Sequence, residues 1–163
     1  MAPFSLSKYL TGRELHASVA SMTPEDRAKK AAEKMWQQDH ASQWMGMELT
    51  HVAEGEAVME LTVKKHHCNG HGMCHGGVIF TLADSAFAFA CNSRNQVTVA
   101  QHNSITYIAS GRLGDRLRAT ATEISLTGRS GITDVQVTNQ AGVLIAEFRG
   151  LSRSIKGTVF DEA

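Results

Sequence analysis

The sequence lacks an excess of charge of either sign. Its 163 residues contain sixteen Lys and Arg against sixteen Asp and Glu, so no broad electrostatic field favours nucleic acid or an anionic membrane surface. It also lacks any apolar run near the roughly 20 residues needed to span a bilayer, and its N-terminus has no continuous apolar core of a secretory signal. We therefore predict a soluble, cytoplasmic protein without a nucleic-acid or membrane partner.

Cysteine is too scarce for a disulfide framework. An odd count of three always leaves one thiol over, which is typical of a reducing compartment. The length suits one domain with its own core. We assign residues 1–22 to a leader, either a poorly ordered extension or a short docking helix, residues 23–157 to a single domain and residues 158–163 to a C-terminal tail.

Local signals predict a small helical layer followed by strands. Thr23 and Pro24 begin a helix that is expected to run to about Gln38, and a second covers residues 40–45. Beyond Gly46 the apolar period changes from near 3.6 to 2. The predicted strands cover residues 47–53, 57–65, 98–110, 116–126, 132–139 and 143–155. Their short connections force antiparallel neighbours.

One further helix, residues 76–92, is apolar almost all round and therefore belongs inside the domain. The predicted fold class is α+β: a six-stranded antiparallel sheet wrapped around one long central helix, with an N-terminal helical extension. Asp84 is the anomaly in that helix, because aspartate is seldom buried unless it is paired or functional. It either lies on an exposed stripe, pairs with an arginine from a strand, or acts as a nucleophile or general base.

Gly76 and Gly77 open the same helix. Their amides are uncrowded by side chains and lie at the positive end of the dipole, which suits the oxyanion of an attacked ester or thioester; alternatively, the glycines only allow a tight entry into the helix. Eight residues along a helix span about 12 Å, so Gly76 and Asp84 of one chain cannot touch one carbonyl. If they cooperate, the site lies between two chains.

The run NGHGMCHGGVIFTLADSAFAFACNS, residues 69–93, resembles the active-site segment of hotdog-fold acyl-CoA thioesterases. It is most similar to the phenylacetyl-CoA type of bacterial phenylacetate catabolism, and a looser similarity covers most of the chain beyond the leader. The resemblance implies a wrapped sheet, homodimers commonly assembled into homotetramers, an acyl-CoA substrate lying along the interface, and no cofactor. The expected acyl group is phenylacetyl or hydroxyphenylacetyl.

The resemblance also assigns roles. Asp84 becomes the catalytic carboxylate and the Gly76 amide the oxyanion donor, while Asn69 positions water or the thioester and Ser85 is the small hydroxyl residue after the acid. His75 and Gly77 are expected beside the substrate. The residues proposed for the coenzyme phosphates, which are otherwise solvated surface groups, are Arg129, Ser130, Arg153 and Lys156.

Other interpretations of these segments remain open at this stage. His71 and His75 with Cys68 and Cys74 could bind zinc, although the spacing lacks a close cysteine pair and the glycines favour a loop. A non-catalytic acyl-CoA binder and a hotdog dehydratase using His75 are the alternative functions. Aromatic side chains that could line an acyl pocket, or belong to the ordinary core, are Phe80, Phe87, Phe89 and Tyr107. Members of the family often carry proline just before the glycine at Gly111, where this chain has serine, so the loop shape there is an open question.

Overall fold

The computed structural model describes residues 22–162, so nearly all of the predicted leader lies outside the described residues. Six strands form one sheet in the order β1-β2-β4-β5-β6-β3, and every neighbouring pair is antiparallel. The elements are α1 (Pro24–Trp36), α2 (His40–Trp44), β1 (Met47–Ala53), β2 (Glu56–Thr62), α3 (Gly76–Asn92), β3 (Gln96–Tyr107), β4 (Arg116–Thr127), β5 (Ser130–Thr138) and β6 (Leu144–Thr158). The predicted α+β architecture is confirmed.

The central helix α3 has the predicted bounds and packs against all six strands. Its expected apolar face is buried, and side chains outside that face, such as Phe89 and Cys91, are buried as well. Gly150 on β6 faces this helix so closely that a Cβ there would lie 2.5 Å from the Phe87 ring. The sheet can therefore close onto the helix only where that position has no side chain.

The N-terminal helices cover one edge of the sheet. In α1, the Thr23 hydroxyl accepts a hydrogen bond from the Asp26 N–H, which is the cap that the sequence predicted. The helix ends at Trp36, two residues before the predicted end, and Gln37 is its C-cap. Both α1 and α2 contact β1, whereas the opposite edge strand, β3, pairs only with β6 among the described residues.

Several predicted strand boundaries differ from the structure by one to three residues: β3 covers Gln96–Tyr107 rather than residues 98–110, and β5 covers Ser130–Thr138 rather than residues 132–139. The second strand ends at Thr62 rather than residue 65, because Lys64 donates its N–H to His67 Nδ1 and a single 3₁₀ turn follows at Lys65–His67. The last strand continues to Thr158, where it pairs with Gln96, and the Asn95 side chain bonds both backbone polar groups of Phe160. The domain boundary expected at residue 157 thus falls inside β6, and the described part of the tail is packed.

Gly150→Ala should destabilise the fold through the clash with Phe87, by about 1–3 kcal/mol as for other overpacked cores. Chemical denaturation of the variant measures the change in the free energy of unfolding. Gly70→Ala is the matched control, because a Cβ at Gly70 meets nothing within 4 Å. Equal stability of the two variants would show that the approach of β6 to α3 does not require a glycine.

Candidate active site

Asp84 lies in the middle of α3 and is partly buried. Its Oδ1 accepts a hydrogen bond of 2.6 Å from the Asn103 Nδ2 on β3. Burial raises the pKa of the Asp84 carboxyl above its ordinary value, and the Asn103 hydrogen bond opposes that rise. No lysine or arginine in residues 22–162 forms an ion pair with it, so the arginine-pair interpretation is not supported.

Asn103 is a site residue that the sequence analysis missed. It alternates with Ile105 and Tyr107 on the face of β3 that points to α3, and this period of two was a usable signal. The Asn103 Oδ1 is buried without a hydrogen-bond partner among the described residues. An orphaned buried acceptor costs about 1–3 kcal/mol, whereas a hydrogen bond to a charged group returns about 1.5–3 kcal/mol.

The N-terminus of α3 separates the roles of its two glycines. His75 is the N-cap, and its Nδ1 accepts the N–H of Gly77 at 2.9 Å. The Gly77 amide is therefore engaged within the chain. The Gly76 N–H has no acceptor among the hydrogen bonds of residues 22–162, so it is the amide at this helix end that can serve a ligand.

Tyr107 fixes the position of Gly76 from the side of β3. Its hydroxyl donates a 2.8 Å hydrogen bond to the Gly76 carbonyl. A Cβ on Gly76 would lie 3.1 Å from the tyrosine ring and hydroxyl. The glycine thus has a packing reason as well as the predicted chemical one, because any side chain would displace Tyr107 or the helix end.

Three contacts tie β3 along the whole length of α3. Asn92 exchanges two 2.9 Å hydrogen bonds with the backbone of Thr98, Asp84 meets Asn103, and Gly76 meets Tyr107. The eight helical residues from Gly76 to Asp84 rise about 12 Å, and the four strand residues from Asn103 to Tyr107 rise about 13 Å. Helix and strand therefore run antiparallel with matched spacing.

Asn69 organises the loop that precedes the helix. Its Oδ1 accepts the N–H groups of His71 at 2.9 Å and Met73 at 3.3 Å, and its own N–H donates to the Met73 carbonyl at 2.8 Å. Cys68 and Cys74 form a backbone bridge that closes this loop. The structure thus shows Asn69 shaping the loop, while its predicted contact with water or thioester remains a proposal.

Ser85 is held by another side chain that sequence reasoning missed. Its hydroxyl and that of Ser42 on α2 are 2.8 Å apart, and Ser42 is buried. Isolated serines in short helices carry no recognisable signal, so the contact was not predictable. Ser85 therefore links α2 to α3 beside the carboxylate.

The residues predicted to bind phosphate lie together near the turn between β4 and β5, and Ser130 and Arg153 are on the face of the sheet that points away from α3. Arg129 Nε donates to the Ser154 carbonyl, and Ser130 pairs with Arg153 across β5 and β6. Arg153 is three residues beyond Gly150, which faces α3, so alternation places its side chain on the opposite face. Arg129, Ser130 and Arg153 are thus brought near one another, and not near Asp84 of the same chain.

The structure also places the residues named for a zinc site and for an aromatic acyl pocket. His71 lies exposed in a turn rather than on a helix, and burial raises the pKa of the Cys74 thiol to about 11, which disfavours the thiolate that zinc requires. Within the described range no three His, Cys, Asp or Glu side chains cluster as metal ligands. Phe87 and Phe89 are buried core residues, whereas Phe80 is partly buried and Tyr107 is exposed.

The loop at Gly111, where the expected proline is missing, is held by backbone contacts. The N–H groups of Ile108 and Ala109 share the Ile145 carbonyl, and Cys74 donates its N–H to the Gly111 carbonyl at 2.9 Å. A Cβ on Gly111 would lie 3.2 Å from the Cys74 Cβ. The loop is thereby joined to the segment that leads into α3.

Comparison with known proteins agrees with this geometry. Residues 71–146 match the model of the thioesterase superfamily. The Escherichia coli (strain K12) acyl-coenzyme A thioesterase PaaI is 39% identical over 137 residues, which cover 84% of this chain and 98% of PaaI. The chain belongs to the thioesterase superfamily. The expectation of a thioester hydrolase is thereby confirmed.

Solved structures of relatives confirm the hotdog architecture. The structure of the E. coli PaaI protein from the phenylacetic acid degradation operon has a TM-score of 0.82 and 38% identity, covering 83% of this chain and 99% of PaaI. A hypothetical thioesterase from Streptococcus pneumoniae TIGR4, solved with coenzyme A, has a TM-score of 0.71 and 26% identity, covering 77% and 97% of the two chains. No helix among residues 22–162 is long and apolar enough to cross a membrane.

Asp84→Asn should make the protein more stable than wild type at neutral and alkaline pH. Burial raises the folded-state pKa of Asp84, so protonation of this carboxyl stabilises the fold below its unfolded pKa, and that stabilisation is lost as pH rises through the folded pKa. The variant stays neutral and avoids the loss. Thermal melts from acidic to alkaline pH should show the difference in Tm growing as pH rises through the folded pKa and levelling off above it.

Asp115→Asn is the control of opposite sign. Hydrogen bonds from Gln140 and the Arg112 N–H lower the pKa of Asp115, so its contribution to stability is present above the unfolded pKa and lost as pH falls through the folded one. This variant should melt below wild type at neutral pH. If Asp84→Asn behaved in the same way, the carboxylate would be stabilised rather than penalised by its surroundings.

Proposed function

We propose that the protein hydrolyses the thioester of an aryl-acyl-CoA, of the phenylacetyl or hydroxyphenylacetyl type, to the free acid and coenzyme A. The observation that carries the mechanism is the hydrogen bonding of the two reacting groups, Asp84 and the Gly76 amide. Asp84 is held by one oxygen at the centre of α3, and the Gly76 N–H at its positive end has no acceptor among residues 22–162. A carboxylate and an oxyanion donor are the groups that acyl transfer to water requires.

The reaction begins when the thioester carbonyl oxygen accepts the Gly76 N–H. Asp84 takes a proton from water as the water oxygen bonds to the carbonyl carbon, and the resulting oxyanion is stabilised by the amide. Collapse of this intermediate breaks the carbon–sulfur bond, and the departing thiolate receives the proton. In a second route with the same geometry, Asp84 attacks the carbon directly and expels the coenzyme A thiolate, which leaves an anhydride. Water then hydrolyses the anhydride to the free acid, restores Asp84 and supplies the proton of the thiol.

The spacing along α3 requires Gly76 of one chain to act with Asp84 of another. The open edge of β3 suits such pairing, because its backbone groups face outward and the exposed apolar residues Val99, Tyr107 and Ile108 lie on or beside it. On β3, Tyr107 lies beside Gly76 and Asn103 lies beside Asp84, each joined to its partner by a hydrogen bond. An antiparallel pairing centred on Ile105 sets Tyr107 opposite Asn103 of the second copy, which aligns the two groups.

Relatives support the choice of substrate. PaaI is named an acyl-coenzyme A thioesterase, and its structure is described as that of a protein from the phenylacetic acid degradation operon. The S. pneumoniae relative was solved with coenzyme A. We infer an acyl-CoA at the interface of a homodimer, assembled further into a tetramer, in the cytoplasm. His75 serves as the cap of α3 and not as the acid of a dehydratase.

Asp84→Asn should lower turnover of phenylacetyl-CoA by roughly 10²- to 10⁴-fold, the usual contribution of a positioned base. Thiol release measured over a panel of aryl- and alkyl-CoA esters tests both the reaction and its substrate. Asp134→Asn is the control, because Asp134 is a partly exposed carboxylate that pairs with Arg149 away from α3. It should retain wild-type rates.

Two outcomes would overturn parts of this proposal. Wild-type turnover by Asp84→Asn would remove the carboxylate from the mechanism. Absence of thiol release from every ester by the wild-type protein would favour the acyl-CoA binder, whereas a preference for alkyl over aryl esters would reject only the acyl group.

A further inference from the structure

We propose that Asn103 is a positioning residue that holds Asp84 in its reactive orientation and keeps it ionised. This inference rests on the proposed function. It concerns one contact, the 2.6 Å hydrogen bond from the Asn103 Nδ2 to the Asp84 Oδ1. That contact fixes one carboxylate oxygen and the plane of the group, and the second oxygen is left to meet water or the thioester carbon.

The amide of Asn103 is committed to Asp84 alone. Its Oδ1 is buried without a partner in the described part of the chain, so no second hydrogen bond decides how the amide is turned. The attachment of β3 to α3 does not depend on it either, because Asn92 and Thr98 tie one end and Gly76 and Tyr107 tie the other. A residue needed only for the fold would be better satisfied as an apolar side chain.

No lysine or arginine among residues 22–162 pairs with the charge of Asp84, so Asn103 is the group that stabilises it. On α3 the neighbouring titratable group is the Cys91 thiol, which is neutral because burial raises its pKa to about 12. From α2 the Ser42 hydroxyl approaches Ser85, and from the end of β3 the Tyr107 hydroxyl approaches Gly76. Within residues 22–162, neither α1 nor the other five strands bring a charged side chain into an ion pair with Asp84.

Burial alone would hold the carboxyl in its protonated form to higher pH, where it can neither attack nor accept a proton. A donor aimed at the charged form counteracts this effect. Asn103 therefore extends activity toward lower pH. Loss of the hydrogen bond should lower the rate of the chemical step rather than the affinity for substrate. The reason is that the bond joins Asn103 to the Asp84 carboxylate of the same chain and not to the substrate.

The test is the pH dependence of kcat/KM for thioester hydrolysis, whose acidic limb reports the pKa of the carboxylate in the free enzyme. In Asn103→Ala this limb should move up by about one pH unit, with kcat reduced about tenfold near the original limb and KM changed less than about twofold. In the isosteric Asn103→Asp, a second carboxylate faces Asp84, and the shift should be larger.

Gln136 offers a matched control. Its Nε2 donates a 2.9 Å hydrogen bond to the Glu147 Oε1 on the neighbouring strand, in an exposed amide–carboxylate pair. Gln136→Ala and Gln136→Glu repeat the two substitutions away from α3, and their pH profiles should superimpose on that of wild type. The Tm of each variant separates a loss of folded protein from a change in Asp84.

Three results would be decisive against the inference. An acidic limb of Asn103→Ala that coincides with wild type would overturn it. So would a loss of activity by the same factor at every pH together with a lower Tm, since that pattern belongs to a structural residue. If Asp84→Asn retained full activity, the catalytic role proposed for Asp84 would fail and the role of Asn103 with it, whereas an inactive Asp84→Asn with an unaltered Asn103→Ala would reject Asn103 alone.

Discussion

The geometry of the site depends on two segments of equal length, one on α3 and one on β3. The helix rises about 1.5 Å per residue and the strand about 3.3 Å per residue. Gly76 and Asp84 are eight residues apart on α3, and their partners Tyr107 and Asn103 are four residues apart on β3. Because the two spans agree, both polar contacts form without a break in either element. The strand thereby holds the oxyanion donor and the carboxylate at a fixed separation.

Under the proposed mechanism, that separation places the reaction at an interface between two chains. A rigid helix of about 12 Å between the two groups cannot be bent within one chain to bring both to one carbonyl. The open β3 edge carries the same spacing on its outer side, so in the proposed dimer a second copy would supply the missing group by pairing along this edge. In this proposal one strand, β3, serves both assembly and catalysis.

The sequence predicted what local pattern controls. The bounds of α3 and the Thr23 cap depend on neighbours in the chain, and both appear as expected. The predicted alternation of β2 does not appear as alternating burial, because residues 57–61 are all buried, and the strand ends earlier than predicted. The turn at Lys65–His67 depends on a side chain folding back to the Lys64 N–H. No periodicity signals such a bond, so the strand was predicted three residues too long.

Contacts between residues that are far apart in the chain were the second thing that the sequence could not predict. Asp84 and Gly76 stood out because an acid in an apolar helix and a paired glycine at its start conflict with local preference. Asn103, Ser42 and Tyr107 are ordinary in their own segments, and only the wrapping of the sheet reveals their contacts. Alternation could assign Asn103 to the helix-facing side of β3, but its meeting with Asp84 depends on the register between strand and helix.

The most direct measurement of the central claim is activity in mixed dimers of two variants expected to be inactive. These are Asp84→Asn and Gly76→Ala, whose Cβ would displace Tyr107 or the end of α3 that carries the amide. Coexpression in equal amounts with random pairing makes half of the dimers mixed, and each mixed dimer has one of its two sites free of both substitutions, so about a quarter of wild-type turnover should return. Activity that remained at the sum of the two separate variants would contradict a site shared between chains.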